Sequence, residues 1–467
     1  MSEEAQTTNP LGTASIGKML AKFAIPAIIS NLISSIYNIT DQIFIGHNVG
    51  LLGNAATNVA FPLSIICTAI AILFGFGGAA NLNLEMGRGN QEKGSKIVGT
   101  AFVCLLISGI IITTIVAIFL KPLMWCFGAT EQNIDYAVTY VSVTNIGIPF
   151  LLFSTGGAHL VRADGKPIYS MIAVIVGAVL NIGLDAILVP RFGMAGAAWA
   201  TVAGQIVSGI IILLYLPRFR SLKLRWRDFI PRWECIKTIV PLGTSVCIGQ
   251  VAILVQQIAM SNVLRSYGAV SVYGSDIPLA AIGIISKVSM IVTAVVLGFA
   301  QGGQPIIGYN YGAKNYNRVR KTFFYIAVVS FAFSCVAFVC FQIFPQAIIK
   351  LFGTEDDTLY IEFAVKLMRI YLFFTFVNGI QPISANSFPA LGKPLKGVLL
   401  SIARPLLFLL PLFLLPLAIG IDGVAYAGLI ADGVIFMIAA TMWIVEFKKM
   451  PKNNIKENNE QSNIKEV

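Results

Sequence analysis

Apolar positions along this chain come in long blocks rather than in the short repeats of a half-buried helix or strand. Blocks near 19–44, 56–80, 97–120, 138–160, 168–189, 195–216, 238–263, 279–302, 322–345, 364–387, 398–419 and 424–446 are predominantly apolar. About 20 residues at a rise of about 1.5 Å each are enough to cross a hydrocarbon core of roughly 30 Å. Lipid supplies no hydrogen-bond partners, so a spanning segment must satisfy its backbone internally, as a helix. The pattern therefore predicts an all-α integral membrane protein with twelve transmembrane helices.

The polar punctuation sets topology and domains. With both termini placed on one side, that side carries 26 of the 33 lysines and arginines. The other side carries six: Lys121, Arg191, Arg265, Lys350, Lys366 and Arg369. Basic loops stay in the cytoplasm, so both termini are expected there. The division is an N-terminal lobe over 1–216, a basic cytoplasmic linker over 217–237, a C-terminal lobe over 238–447 and a polar tail over 448–467.

The two lobes repeat one another. Gly87-Arg88-Gly89-Asn90 matches Gly312-Ala313-Lys314-Asn315 at a shift of 225, as Phe127-Gly128 matches Phe352-Gly353. Gly165-Lys166-Pro167 matches Gly392-Lys393-Pro394 at 227, and the segment from Gly193 to Ala200 matches Gly420 to Ala427 at the same shift. Six spans per repeat is an even number. Both lobes then enter the bilayer in one orientation, as two six-helix bundles related by a pseudo-two-fold axis along the membrane normal. Such parallel repeats suit a transporter whose substrate sits between rocking halves.

Composition agrees and excludes alternatives. Apolar residues make up 56% of the 467 positions and charged residues 12%, against roughly 25% charged in a soluble domain. The net charge of +11 lies in short loops, which is topology rather than a nucleic-acid footprint. Met1 to Ser15 lacks a basic n-region and a small-residue cleavage site, so the first span is expected to be retained. The seven cysteines have no metal or disulfide spacing and read as small hydrophobes. Gly89 to Lys96 looks superficially like a phosphate loop, but its Lys and Ser are in reversed order and no strand precedes it. Histidines number two, His47 and His159, far apart along the helices, so no enzyme is expected.

Taken together, several segments resemble the multidrug and toxic-compound extrusion (MATE) family, in its MepA-like branch. They are Tyr37 to Gly46, Asn181-Ile182-Gly183-Leu184-Asp185, Gly193 to Ala200, Gln301-Gly302-Gly303-Gln304-Pro305 and Gly308-Tyr309-Asn310-Tyr311-Gly312. The resemblance implies a V-shaped pair of lobes. It implies a secondary active antiporter of the cell membrane, exporting cationic or amphipathic drugs against protons or sodium ions and able to confer antibiotic resistance. No cofactor beyond the coupling ion is expected, the partners being small organic cations and membrane lipid, and the chain a monomer. A flippase for lipids or lipid-linked sugars, from the same wider superfamily, is the alternative; it would call for a strongly cationic cavity or extra spans.

Ionisable groups inside spans are costly and are functional candidates for that reason. Asp41 lies roughly 33 Å along span one and Asp185 roughly 26 Å along span five. Thr201 sits near the outer end of span six, and Asn181 shares a helix face with Asp185 at i and i+4. Those depths fit one site. Burial, and a second carboxylate beside the first, push a carboxyl above its usual value of about 3.9, so the pair could take up a proton or its oxygens hold Na+ at Asp41, Asn181 and Asp185. The resemblance matches its cation-site positions to Asp41, Asn181, Asp185 and Thr201. The plainer alternative is that either Asp caps a helix or bonds near the interface.

The second lobe differs. Gln256 falls opposite Asp41, while Phe408 and Leu412 fall opposite Asn181 and Asp185, so the acid site is not duplicated. Lys287 and Asp432 lie at equal depth and are expected to pair, possible gating included. Pro26 should bend span one, and by resemblance that bend could couple ion binding to drug release. Tyr37, Tyr140, Gln256 and Met290 are candidates for the substrate cavity wall.

Overall fold

A computed structural model of the chain describes residues 9–274, 276–351 and 358–451. The Phe352-Gly353 repeat, the first eight residues and most of the C-terminal tail lie outside the described residues. A single turn, α1 (Pro10–Thr13), precedes five long helices: α2 (Ile16–Asn48), α3 (Leu51–Gly87), α4 (Gln91–Cys126), α5 (Ile134–Ala163) and α6 (Pro167–Tyr215). Beyond the linker come α7 (Trp233–Ala269), α8 (Asp276–Gly312), α9 (Tyr316–Ile343), the short α10 (Pro345–Lys350), α11 (Thr358–Tyr371), α12 (Thr375–Asn378) and α13 (Ile380–Ala390), then α14 (Pro394–Ile419) and α15 (Asp422–Lys449). The described residues contain no strand.

Among the described residues, ten helices are long and apolar enough to cross a membrane. Two of the expected twelve crossings hide in the geometry. Helix α6 has 49 residues. Straight, it would reach about 74 Å, far more than a bilayer needs. The chain instead reverses at Gly193, where φ is 55° and ψ is −129°. A side chain would strain that conformation. The two arms of α6 then pack on each other: Tyr169 Oη donates to Ile211 O at 2.9 Å and Ser208 Oγ to Ala173 O at 2.9 Å. The tenth span is not continuous either. It breaks after Tyr371, and Thr358–Tyr371 meets Thr375–Ala390 at 45°. Counting α6 twice and the bent pair once gives twelve crossings.

The turns carry the internal repeat. Gly165 and Gly392 have φ of 87° and 70°, and Gly193 and Gly420 have 55° and 63°. Where Gly89 makes the same kind of turn, its counterpart is Lys314, held at φ 59°; a non-glycine residue costs roughly 1–2 kcal/mol there.

Within each lobe the spans close on apolar side chains, Phe102, Leu105 and Leu152 in the first and Ile285, Leu367 and Phe408 in the second. Between the lobes, backbone meets backbone. In the antiparallel pair α2 and α8, Gly302 lies against Ala24 and Gly298 against Ile28, and Asn31 Nδ2 donates to Ala294 O at 3.2 Å. In the pair α3 and α7, a Cβ on Gly243 would stand 1.9 Å from Leu73 O. Asn81 bonds Thr238 at 2.7 Å, Arg162 bonds Gln301 at 2.7 Å, and Asn310 reaches Leu11 O at 2.9 Å. These contacts lie in the half of the molecule nearest the chain termini. Further along the same helices Gln42, Gln257, Lys287 and Ile291 are exposed, so the lobes part there and leave a cleft.

Much of the linker belongs to the first lobe. Asp164 accepts bonds from Tyr215 Oη at 2.7 Å and from the backbone amides of Arg220 and Ser221 at 3.0 and 2.9 Å. The turn Trp226–Phe229 rests on α4, where a Cβ on Gly99 would stand 2.1 Å from Asp228 O. Returning to the seam, Gly243→Leu should be costly, by about 1–3 kcal/mol for overpacking. A lower unfolding temperature in detergent, or engineered cysteine pairs at the terminal end that no longer cross-link, is the expected readout; a variant matching wild type in both would contradict the close contact.

Candidate cation site

α2 carries Asp41 and α6 carries Asn181, Asp185 and, past the Gly193 reversal, Thr201. That reversal returns the chain beside itself, so residues 20 positions apart meet: Asn181 Nδ2 lies 3.4 Å from Thr201 Oγ1. Asp41, Asn181 and Asp185 are buried, Asp185 completely. The Asp41 and Asp185 carboxyls lie within hydrogen-bonding reach of each other. Two ionised carboxylates cannot bond, because both are acceptors only. The contact therefore needs a proton between them or a cation against them.

The remaining oxygens strengthen that requirement. Asp41 Oδ1, both carboxyl oxygens of Asp185 and Asn181 Oδ1 are buried and receive no hydrogen bond among the described residues. Buried polar atoms are ordinarily paired, so four acceptors without donors mark a place for a proton or a hard cation. A carboxylate, amide and hydroxyl set is the donor type that hard cations take. Tyr37 and Tyr140 border the carboxyls, and Tyr140 adjoins Thr201. Beside them is a cavity of about 110 Å³ walled in part by Tyr37, Asn181, Thr201 and Gln205. Liquid water occupies about 30 Å³ per molecule, so the cavity has room to hydrate the site.

The other sequence candidates fall elsewhere. Met290 is exposed on α8, 42% of its surface accessible, in the stretch where the lobes part. Pro26 is buried within a helix that continues through it, with Ser30 Oγ donating to Pro26 O at 2.8 Å. Gln256 is buried in the second lobe beside the Tyr371 hydroxyl. The ion pair expected between Lys287 and Asp432 does not form. Asp432 instead binds Arg404, Nε to Oδ1 at 2.9 Å, and accepts from Asn378 Nδ2 at 3.2 Å. Equal depth places Lys287 and Asp432 at one level but says nothing of azimuth, and Lys287 points away from the second lobe's interior.

Sequence reasoning misses Arg404, Tyr371 and Asn378. It counts Arg404 with the basic loops, although Arg404 lies inside α14 on the face of Phe408 and Leu412, both fully buried. That i, i+4, i+8 spacing is the available signal. Arg162, buried and bonded to Gln301 across the lobes, escapes for the same reason.

A sequence model of the MatE family matches residues 26–187 and again 252–414, two copies offset by nearly the shift of the internal repeat. The chain belongs to the MatE family. The multidrug export protein MepA of Staphylococcus haemolyticus (strain JCSC1435) is 26% identical over 440 residues, covering 92% of this chain and 94% of that protein. The probable multidrug resistance protein YoeA of Bacillus subtilis (strain 168) is 24% identical, covering 82% and 84%. In three dimensions the chain is similar to an outward-facing multidrug resistance MATE family transporter of the MOP superfamily, at a TM-score of 0.88 and 21% identity over 95% of this chain and 98% of that one.

Removing Arg404 alone would leave Asp432 buried without its counter-charge. Arg404→Ala is expected to lower stability by about 3–5 kcal/mol, while replacing both residues with apolar ones of similar size restores most of the loss. Thermal unfolding of the three proteins in one detergent checks this; a single variant as stable as the double would contradict the pair.

Proposed function

We propose that this protein is a secondary active multidrug efflux transporter of the cell membrane. It exports cationic or amphipathic organic compounds by antiport with protons or sodium ions, as a monomer with both termini in the cytoplasm. The observation that carries the reading is the pair of neighbouring carboxyls, Asp41 and Asp185, buried inside one of two lobes that meet at one end only. The names of the relatives above, multidrug export and multidrug resistance proteins, support it.

In this scheme the closed end faces the cytoplasm and the cleft opens outward. Asp41 and Asp185 share the coupling cation, Asn181 supplies an amide oxygen, and Thr201 orients that amide through its bond to Nδ2. Occupation by a cation removes the repulsion between the carboxylates; release restores it and drives α2 and α6 apart. Because α2 also forms the lobe contact with α8 through Ala24, Ile28 and Asn31, a shift of α2 changes how the lobes meet. Ion occupancy is thereby linked to cleft access, as antiport requires.

In proteoliposomes, an imposed outward-to-inward gradient of the coupling ion should drive ethidium transport. Parallel proton and sodium gradients identify that ion. Asp41→Asn and Asp185→Asn should each lower transport at least about tenfold, equivalent to about 1.4 kcal/mol of lost coupling. Unchanged transport in both variants, with either gradient, would end the proposal. A second expectation concerns the amide: Asn181→Ala should weaken ion dependence with drug binding retained, measured as a raised half-saturating ion concentration.

A further inference from the structure

The contacts between α2 and α8 fix a register that can be followed past the point where the lobes separate. Ala24 meets Gly302, Ile28 meets Gly298 and Asn31 meets Ala294. The first step, four residues outward on α2, is matched by four back on α8, and the next, three residues outward, by another four back. Seven residues is two helical turns less about 20°. Lys287, seven positions before Ala294, therefore keeps the azimuth of the contact face and looks across the cleft at α2. The residue that the register sets opposite is Asn38, and Lys287 stands about 10 Å beyond the last contact. The opposite face of α8, with Ala281, Ile285 and Val288, is packed in the second lobe's core, so Lys287 does not serve that core.

Lys287 is exposed and takes part in no hydrogen bond or salt bridge among the described residues. Nor does the cleft balance its charge. Asp41 is turned into the first lobe and Asp432 is held by Arg404 inside the second. On α7, the positions two and four turns past the Gly243 contact are Gln250 and Gln257, which are neutral. The remaining ionisable residues of the four contact helices lie at or near their ends: Lys18, Lys22, Glu85, Glu234, Lys237, Arg265 and Asp276, with His47 at the far end of α2. Beside Lys287 on the same helix are Met290 and Ile291, exposed by 42% and 45%.

We infer that Lys287 is a substrate-selecting residue, which binds the anionic group of amphipathic substrates while Met290 and Ile291 receive their apolar part. This rests on the efflux reading above and narrows it: the favoured cargo carries a carboxylate, alone or together with an amine, rather than positive charge only. A wholly cationic compound at this level of the cleft meets a like charge, the nearest acid on the same helix being Asp276 at its end, about 16 Å away. A carboxylate there gains an ion pair in surroundings less polar than water, where attraction is stronger than at an exposed surface.

The test is binding to purified full-length protein by equilibrium dialysis, so it does not require transport. The probes are norfloxacin, its ethyl ester and ethidium, with the protein in phosphatidylcholine nanodiscs. Norfloxacin should bind about fivefold tighter than the ester, the size of a modest ion pair. Lys287→Gln should abolish that ratio, Lys287→Arg should keep it, and Lys287→Glu should favour ethidium. The preference for ethidium expected of Lys287→Glu is a gain, which a general loss of folding cannot mimic. A ratio unchanged within twofold in Lys287→Gln, or an equal loss for acid and ester, overturns the inference. So does a ratio that vanishes in phosphatidylglycerol nanodiscs but not in phosphatidylcholine, because the lysine would then serve lipid headgroups. If binding behaves as expected while no ion gradient drives transport, the efflux reading fails and the assignment of Lys287 stands.

Discussion

Two carboxyl groups buried side by side impose a condition on everything around them: something positive must sit between them, or the lobe that contains them must change shape. Burial makes the condition strict, since Asp41 Oδ1 and both Asp185 carboxyl oxygens receive no bond from a neighbouring donor among the described residues. Water in a cavity of about 110 Å³ can reach the site, and a proton or small cation can follow. The helices that bring the acids together are α2, which also forms part of the seam between the lobes, and α6, whose reversal at Gly193 sets Thr201 beside Asn181. Site and seam are therefore mechanically continuous through a single helix.

The second lobe repeats the fold but not the condition. Where the first lobe has acids in need of a cation, the second supplies its own in Arg404, fixed to Asp432 and surrounded by Tyr371, Asn378 and Gln256. A tethered guanidinium does not leave. The pseudo-symmetry is thus one of backbone, with chemistry free to diverge on it. Lys314 at a left-handed position held by glycine in the first lobe makes the same point.

Most of the architecture can be read from the chain because membrane spans are set by bulk hydrophobicity, and the repeat by turn glycines at constant offset. Depth also leads to Asp41 and Asp185, since their spans run the same way and their levels can be compared. It fails for Lys287 and Asp432 because level alone does not fix azimuth, and it fails for Arg404 because a cation near a loop is easily assigned to the loop. The repeat relation of Gln256 to Asp41 gives its level in the lobe but not its neighbours, which include the buried Tyr371 hydroxyl. The break after Tyr371 has no proline to announce it.

The route of the chain between the lobes has a further consequence. Asp164 clamps the backbone at Arg220 and Ser221, and the turn at Trp226–Phe229 is seated on α4. What remains before Trp233 is Ile230, Pro231 and Arg232, about 10 Å of slack at full stretch. A long and strongly basic connector thus behaves as a short strap. It lets one bundle tilt against the other while denying them translation along that edge, so the stroke of the machine is a swing about a fixed hem.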